Sequence, residues 1–317
     1  LEPGATADEC RVVTDFLRQV RRYTESRGVP LGLRIPANLG YLRSRGLDVP
    51  AIVREGLVDF IGFSNFWQTS WDLPYEQLRA ELGDAVLFYG VVENAPNWIA
   101  ARTPADMPPP LAGRAPYPNA GVRYMAASPR MVRANAAGKL AMGVHGIEQF
   151  NFFCTDQPKV PGLRADYGVL RGIHDLESLR GKEKHYCLSS PSGRLSMLWE
   201  IPEQIPAVLE PKHRREFRLT MAREPAGRKL RVQAVVEKSP SPARLAMSFN
   251  GAWPVFAVRE TADMLFPVGP YTRFADGLTA WEYTLDAVAI REGWNTVTVT
   301  NYGAASVKVE SVELGVS

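Results

Sequence analysis

The sequence predicts a two-part protein, a parallel α/β layer followed by an antiparallel β-sandwich, and three observations point to it. The first part alternates helical periods with short runs that are apolar on both faces, the pattern of parallel strands covered by helices. From Lys184 onward the pattern changes to short alternating strands separated by Pro, Gly and Asn turns, with no long helical period between them. The length of 317 residues suits two domains better than one. With 45% hydrophobic and 22% charged residues, the composition is that of a globular chain and excludes a disordered or fibrous one.

Residues 8 to 27 carry Val12, Val13, Phe16, Leu17 and Val20 at helical spacing, with Arg18, Arg21, Arg22 and Arg27 on other faces and Gly28 as the stop. After the Val29-Pro30 turn, Leu31 to Ile35 has the length of a strand. Asp48-Val49-Pro50 opens a second helix that ends at Gly56. Val58 to Phe66 is the second apolar run, Tyr75 to Leu82 a helix stopped by Gly83, and Ala85 to Val92 the third run. The Pro-rich stretch from Asn94 to about Tyr124 is too long for a simple connection, which marks it as functional or mobile. Ser128 caps a helix through Ala136, Ala137, Leu140 and Ala141; Gly146 to Phe153 is the fourth run, and Tyr167 to Leu179 a closing helix. In the second part, strands are expected at Arg194 to Glu200, Glu216 to Met221, Leu230 to Glu237, Arg244 to Asn250, Trp281 to Tyr283, Thr296 to Thr300 and Val307 to Val312. The expected boundary falls near Ser189-Ser190-Pro191-Ser192-Gly193, giving domains 1–189 and 190–317.

Several function classes are disfavoured. The net charge of +3 comes from arginines spread along the chain, so no electrostatic footprint for nucleic acid is expected. No window approaches the ~18 apolar residues of a membrane span. The start Leu1-Glu2-Pro3-Gly4 is neither a Met start nor a signal peptide, so the numbering is expected to begin inside a longer parent. Cys10, Cys154 and Cys187 match no disulfide framework or paired metal site, and His145, His174, His185 and His213 show no HxH or HExxH spacing, so no metal is expected. No cofactor is expected either, because no GxGxxG follows a strand and no GxxxxGK[ST] occurs. Ser64 lacks the GxSxG elbow, and Cys154 reads as a buried thiol more readily than as a nucleophile.

Parallel α/β folds carry their chemistry at the C-terminal ends of the strands. Those ends hold Arg34, Asn65 with Trp67, Glu93 with Asn94, and Asn151, a set of charges, amides and aromatics that suits a sugar. Glu93 is the most informative, since an apolar strand delivers a carboxylate to the mouth of the sheet. A structural ion pair between Glu93 and Arg34 explains the same residues equally well. Glu148, near the start of its strand, reads as structural. Trp71 and Trp98 are stacking platforms or plugs over the core, and Trp253, Trp281 and Trp294 of the sandwich are more often core than ligand-binding.

The runs Asp8-Glu9 through Arg34-Ile35-Pro36, Gly46-Leu47-Asp48-Val49, Arg54-Glu55-Gly56-Leu57-Val58-Asp59, the strand-end Glu93 and Gly143 through Phe152 resemble the second half of bacterial glycoside-hydrolase-like (β/α)8 barrels, distant relatives of family-ten glycosyl hydrolases. The tail, with Asn250-Gly251 and Gly293-Trp294-Asn295-Thr296, is similar to galactose-binding-like jelly rolls. The resemblance implies half of a TIM-type barrel followed by a jelly-roll-like sandwich, a carbohydrate substrate, and a periplasmic or extracellular setting. It further implies that Glu93 is the catalytic carboxylate, that Arg34, Asn65, Trp67, Asn94 and Asn151 line the sugar site, and that a second carboxylate lies before residue 1. On this reading the chain alone is inactive as a fragment and self-associates through open sheet edges. The alternative is a non-catalytic carbohydrate-binding or cell-surface protein on the same scaffold.

Overall fold

The structure is a computed structural model that describes residues 4–64, 69–93, 127–150, 152, 166–189, 204–238, 243–255, 257–266, 274 and 277–317. The stretch from Asn94 to Tyr124, the strand expected at Arg194 to Glu200, and Trp98 and Cys154 lie outside these residues.

Helix α1 (Ala7–Glu25) begins with a capping box, in which Thr6 Oγ1 accepts from the Glu9 N–H while the Glu9 carboxylate accepts from the Thr6 N–H. Strand β1 (Gly32–Ile35) follows, then two short helices, α2 (Leu39–Ser44) capped by Asn38 and α3 (Val49–Arg54) capped by Asp48. Strand β2 (Phe60–Phe63), helix α4 (Tyr75–Leu82), strand β3 (Leu87–Glu93), helix α5 (Pro129–Ala141) and strand β4 (Gly146–Phe150) complete the first layer. The four strands are parallel, in the order β1-β2-β3-β4. Because every crossover steps in the same direction and such crossovers are right-handed, the helices fall on one face of the sheet. Ile35, Ile61, Phe63 and Phe88 on that face pack against Leu17, Ile52, Tyr75 and Leu78 from the helices.

Helix α1 is turned differently from the expectation. Cys10, Thr14 and Leu17 are its buried residues, while Val12 and Phe16 are exposed on the other side with Tyr23. Periodicity shows that a helix has an apolar stripe but not which part of that stripe meets the sheet. The closing helix expected at Tyr167 to Leu179 is a 3₁₀ segment (Tyr167–Gly172) followed by the short helix α6 (Leu176–Leu179), each with an Asp side chain accepting from a backbone N–H at its start.

The antiparallel part contains β5 (Lys184–Ser189), β6 (Ala207–Leu209), β7 (Arg214–Met221), β8 (Lys229–Glu237), β9 (Leu245–Phe249), β10 (Arg259–Thr261), β11 (Leu278–Asp286), β12 (Gly293–Asn301) and β13 (Val307–Val316). One sheet runs β10-β11-β8-β13-β5 with β6 also on β13, and the other runs β7-β12-β9. Strand β5 pairs with β13 from Ser189↔Ser311 to Lys184↔Val316, so the segment placed in the first domain by sequence belongs to the sandwich. The sandwich starts where the sequence pattern changes, at Lys184.

Nor is the sandwich core its own. Met131, Ala134 and Ala137 of α5 share one cluster with Tyr186, Leu188, Phe217, Leu219, Val232 and Leu314 of the sandwich. Helix α5 packs on β3 with one side and on β5 and β7 with the other. At Gly138 a β-carbon would overlap the Thr220 carbonyl oxygen, so only glycine permits this approach. The buried polar groups of α5 are satisfied locally: Asn135 Nδ2 and Lys139 Nζ each donate to the Ser70 carbonyl at 2.7 Å, and Lys139 Nζ donates to Asn135 Oδ1 at 2.7 Å.

Burial lowers the Lys139 pKa to about 7, with Asp72 pulling it the other way. The folded state therefore binds fewer protons than the unfolded one between about 7 and 10.5, and stability rises with pH across that window. Urea midpoints measured through this range should climb with pH in the parent chain and become flatter in Lys139→Met; an unchanged slope would show that Lys139 keeps its ordinary pKa.

Candidate functional site

Side chains alternate along a strand, so the face of the parallel sheet opposite the helices is given by residue parity. It carries Gly32 and Arg34 on β1, Phe60 and Gly62 on β2, Tyr89, Val91 and Glu93 on β3, and Gly146, Glu148 and Phe150 on β4. Toward the N-terminal ends of the strands the Phe60 and Tyr89 rings meet at 5.2 Å between centroids, and Gly32 and Gly146 leave room for them. Toward the C-terminal ends the face becomes charged.

Arg34 is the centre of that charged end. Its Nη1 donates to Ser64 Oγ at 3.0 Å and lies 3.8 Å from Glu93 Oε1, and its guanidinium stacks over the Phe150 ring at 3.3 Å. Glu93 is the last residue of β3, and its side chain is 1% exposed, so its carboxylate sits in a nearly water-free setting beside the guanidinium. Its backbone carbonyl accepts from Thr69 Oγ1 at 2.9 Å, which fixes the strand end.

Glu148 joins this group. Its place near the start of the expected strand reads as structural, but it is the third residue of a five-residue strand and shares the face with Arg34 and Glu93. A β-carbon on Gly62 would lie 2.5 Å from Glu148 Oε2, so the glycine of the neighbouring strand makes space for the carboxylate. Burial raises the Glu148 pKa, and the charge of Arg34 opposes that rise. The signal for it was parity: Glu148 lies two residues before Phe150, which pairs with Glu93.

Asn65, Trp67, Asn94 and Asn151 lie outside the described residues. Trp71 is core, 5% exposed, with its ring against Tyr186. Trp281 packs against the sandwich core, Trp294 donates from Nε1 to Glu76 Oε2 at 2.9 Å, and Trp253 stands exposed on the sandwich surface. Trp253 and Tyr302 lie along an open groove of about 440 Å³ on the outer face of β7-β12-β9, with Arg214, Glu216, Thr298 and Asn250.

The histidines divide. His145 Nδ1 accepts from the Phe88 N–H at 3.0 Å, His174 pairs with Asp175 at the surface, and His213 is exposed. His185 is different, because it lies with Cys187 and Glu313 in a buried group whose ligand atoms are all within 4.8 Å of one another. Histidine spacing argued against a metal; it tests only sequence neighbours, and Glu313 comes from a strand far along the chain.

No protein-family profile matches the chain, and no curated protein matches it.

Replacing Arg34 by Met removes the positive charge that opposes the rise at Glu148. The Glu148 carboxyl should then titrate at still higher pH, read from its side-chain carbonyl resonance in labelled protein; a lower value would show that Arg34 does not act on it.

Proposed function

We propose that the chain is a carbohydrate-active protein whose parallel sheet is half of a (β/α)8 barrel, and that its reaction is hydrolysis of an O-glycosidic bond. One observation carries this reading: two carboxylates, Glu93 and Glu148, share with Arg34 the face of the sheet opposite the described helices, toward the C-terminal strand ends. With ~4.8 Å between strands and ~3.3 Å per residue along them, the two Cα atoms are roughly 8 Å apart. That leaves the carboxyls within reach of the roughly 5 to 9.5 Å separations that glycoside hydrolysis uses.

The environments divide the roles. Glu148, with its pKa raised by burial, is suited to protonate the leaving oxygen, and Glu93, held beside Arg34, is suited to act as the ionised nucleophile or base. Arg34 orients Glu93 and offers donors to a sugar hydroxyl or carboxylate. The sequential order of parallel strands with the described helices on one face supports the half barrel, since the strands of such a barrel follow one another in order with their helices on the outside.

Turnover of a panel of oligosaccharides and aryl glycosides tests the reaction. Glu93→Gln should lose at least ~10²-fold in kcat. Glu148→Gln should be slow on ordinary sugars but nearly normal on aryl glycosides whose leaving group needs no proton. Near-normal turnover in Glu93→Gln would remove that carboxylate from the chemistry. The groove with Trp253 and Tyr302 favours a second reading, a non-catalytic carbohydrate-binding protein. Polysaccharide binding that is lost in Trp253→Ala, with no turnover of any substrate, would select it.

Among the described residues β1 and β4 are the edges of the parallel sheet. Two copies placed edge to edge would satisfy both rows of backbone groups. Sedimentation of the purified chain should therefore show self-association at tens of micromolar, and a monomer stable over days would refute the half barrel's open edges.

A further inference from the structure

The second face of the larger sandwich sheet carries a row of polar side chains. Register sets Cys187 opposite Glu313, Glu313 opposite Gln233, Gln233 opposite Glu282, and Glu282 opposite Arg259, a line across five strands. Cys187, Glu313, Gln233 and Glu282 are all buried. At the β10 end the charges are matched: Arg259 and Arg231 both reach Glu282, and Gln233 Nε2 donates to Glu282 Oε2 at 3.1 Å and to the Asp263 carbonyl at 3.0 Å.

The β5 end has a different composition. His185 and Cys187, two residues apart on β5, project to the same side, and Glu313 of β13 stands directly opposite Cys187. His185 Nε2 is 2.7 Å from Glu313 Oε2, and Ser311 Oγ donates to Glu313 Oε1 at 3.2 Å. Opposite His185 the partner strand has Gly315, whose missing side chain leaves space for the Phe266 ring, and that ring lies 5.2 Å from the imidazole. A nitrogen, a sulfur and a carboxylate oxygen thus converge within 4.8 Å on a rigid two-strand frame, with all three residues at most 1% exposed.

We propose that His185, Cys187 and Glu313 form a site for a single divalent transition-metal ion of the zinc class. The donor set decides the class. Thiolate and imidazole are poor ligands for magnesium and calcium, which take oxygen, and are good ligands for zinc, which takes nitrogen, sulfur and carboxylate together. Tetrahedral bonds of about 2.0 to 2.3 Å require ligand atoms roughly 3.3 to 3.8 Å apart. The His185–Glu313 pair opens slightly and Cys187 closes in, both by side-chain rotation. The ion replaces the thiol proton, which is released to solvent, and takes the place of the hydrogen between Nε2 and Oε2, which moves to Nδ1, so the imidazole binds neutral through Nε2 and one proton is released in all. Ser311 holds the carboxylate from behind, as outer partners of metal ligands do.

A second observation points to the open fourth position. Gln233 Oε1 is buried with no hydrogen-bond partner among the described residues, on the strand next to Glu313. The amide orientation is set by Glu282, which would repel the oxygen if the group were flipped. Gln233 stands directly opposite Glu313, and in the proposed site its oxygen accepts from a water in the fourth position.

The test uses the whole chain, refolded with one equivalent of Zn²⁺ or Co²⁺. Elemental analysis should find one ion per chain, and the cobalt form should show an intense thiolate-to-metal absorption band that persists in Cys10→Ser and Cys154→Ser but disappears in Cys187→Ser. Affinity should fall by more than about 100-fold in His185→Gln and in Glu313→Gln, beyond the ~10- to 100-fold that loss of an outer partner such as Ser311 costs. Zinc-edge X-ray absorption of the unsubstituted chain, which needs no variant to fold, should show one sulfur and a remainder of nitrogen and oxygen. No uptake by the unsubstituted chain, a ligand shell without sulfur, or a thiolate band unchanged in Cys187→Ser would overturn the site.

Discussion

Helix α5 is buried from Ala134 to Lys139, and much of the molecule is arranged around that constraint. The buried stretch of such a helix must satisfy its polar side chains from the elements packed on it, because an unpaired buried amine or amide costs roughly 1–3 kcal/mol or more. Asn135 and Lys139 find their acceptor in the Ser70 carbonyl, which pins the segment from Thr69 to Asp72 against the helix. The same segment then acts in two directions. Thr69 fixes the end of β3 through the Glu93 carbonyl, and the Trp71 carbonyl accepts from the Thr220 N–H of β7 at 3.0 Å. The position of the Glu93 carboxylate and the docking of the sandwich depend on one set of buried hydrogen bonds.

The parallel sheet is asymmetric for a topological reason. Right-handed crossovers that always advance to the next strand put the described helices on one face of the sheet. The covered face is apolar, with Ile61, Phe63 and Phe88 fully buried. Charge therefore collects on the other face, where Arg34, Glu93 and Glu148 share the C-terminal half and glycine at position 62 leaves the volume that a carboxylate occupies. Arg34 lies 3.8 Å from the buried Glu93 carboxylate, and its charge opposes the rise that burial imposes on the Glu148 pKa.

The sandwich repeats the asymmetry with different chemistry. One face of its larger sheet joins the core that contains α5, and the other is polar yet buried. Such a face is stable only when its groups satisfy one another, as Glu282 does with Arg231, Arg259 and Gln233. A second buried ion pair, Lys184 with Glu224 at 2.6 Å, ties the start of β5 to the segment after β7. Lys184 Nζ also donates to the Leu179 carbonyl, which joins that strand to the end of α6.

What the sequence by itself determined is local. Apolar runs between helical periods located all four parallel strands, the caps Asp48 and Ser128 follow from side chains that reach the next free N–H, and the pattern changes at Lys184, the first residue of β5, whereas helix α2 with its Asn38 cap gave no signal that was read. Arg34 and Glu93 were legible because strand ends are. The tertiary structure decided which face of each element is buried and which distant strands meet. It turned Val12 and Phe16 outward, buried both sides of α5, brought Glu148 beside Arg34, and set His185 and Cys187 against Glu313. The physical reason is common to all four: a side chain's periodicity belongs to its own element, whereas its neighbours depend on strand register and layer packing, which arise only when separate parts of the chain compete to bury the same surface.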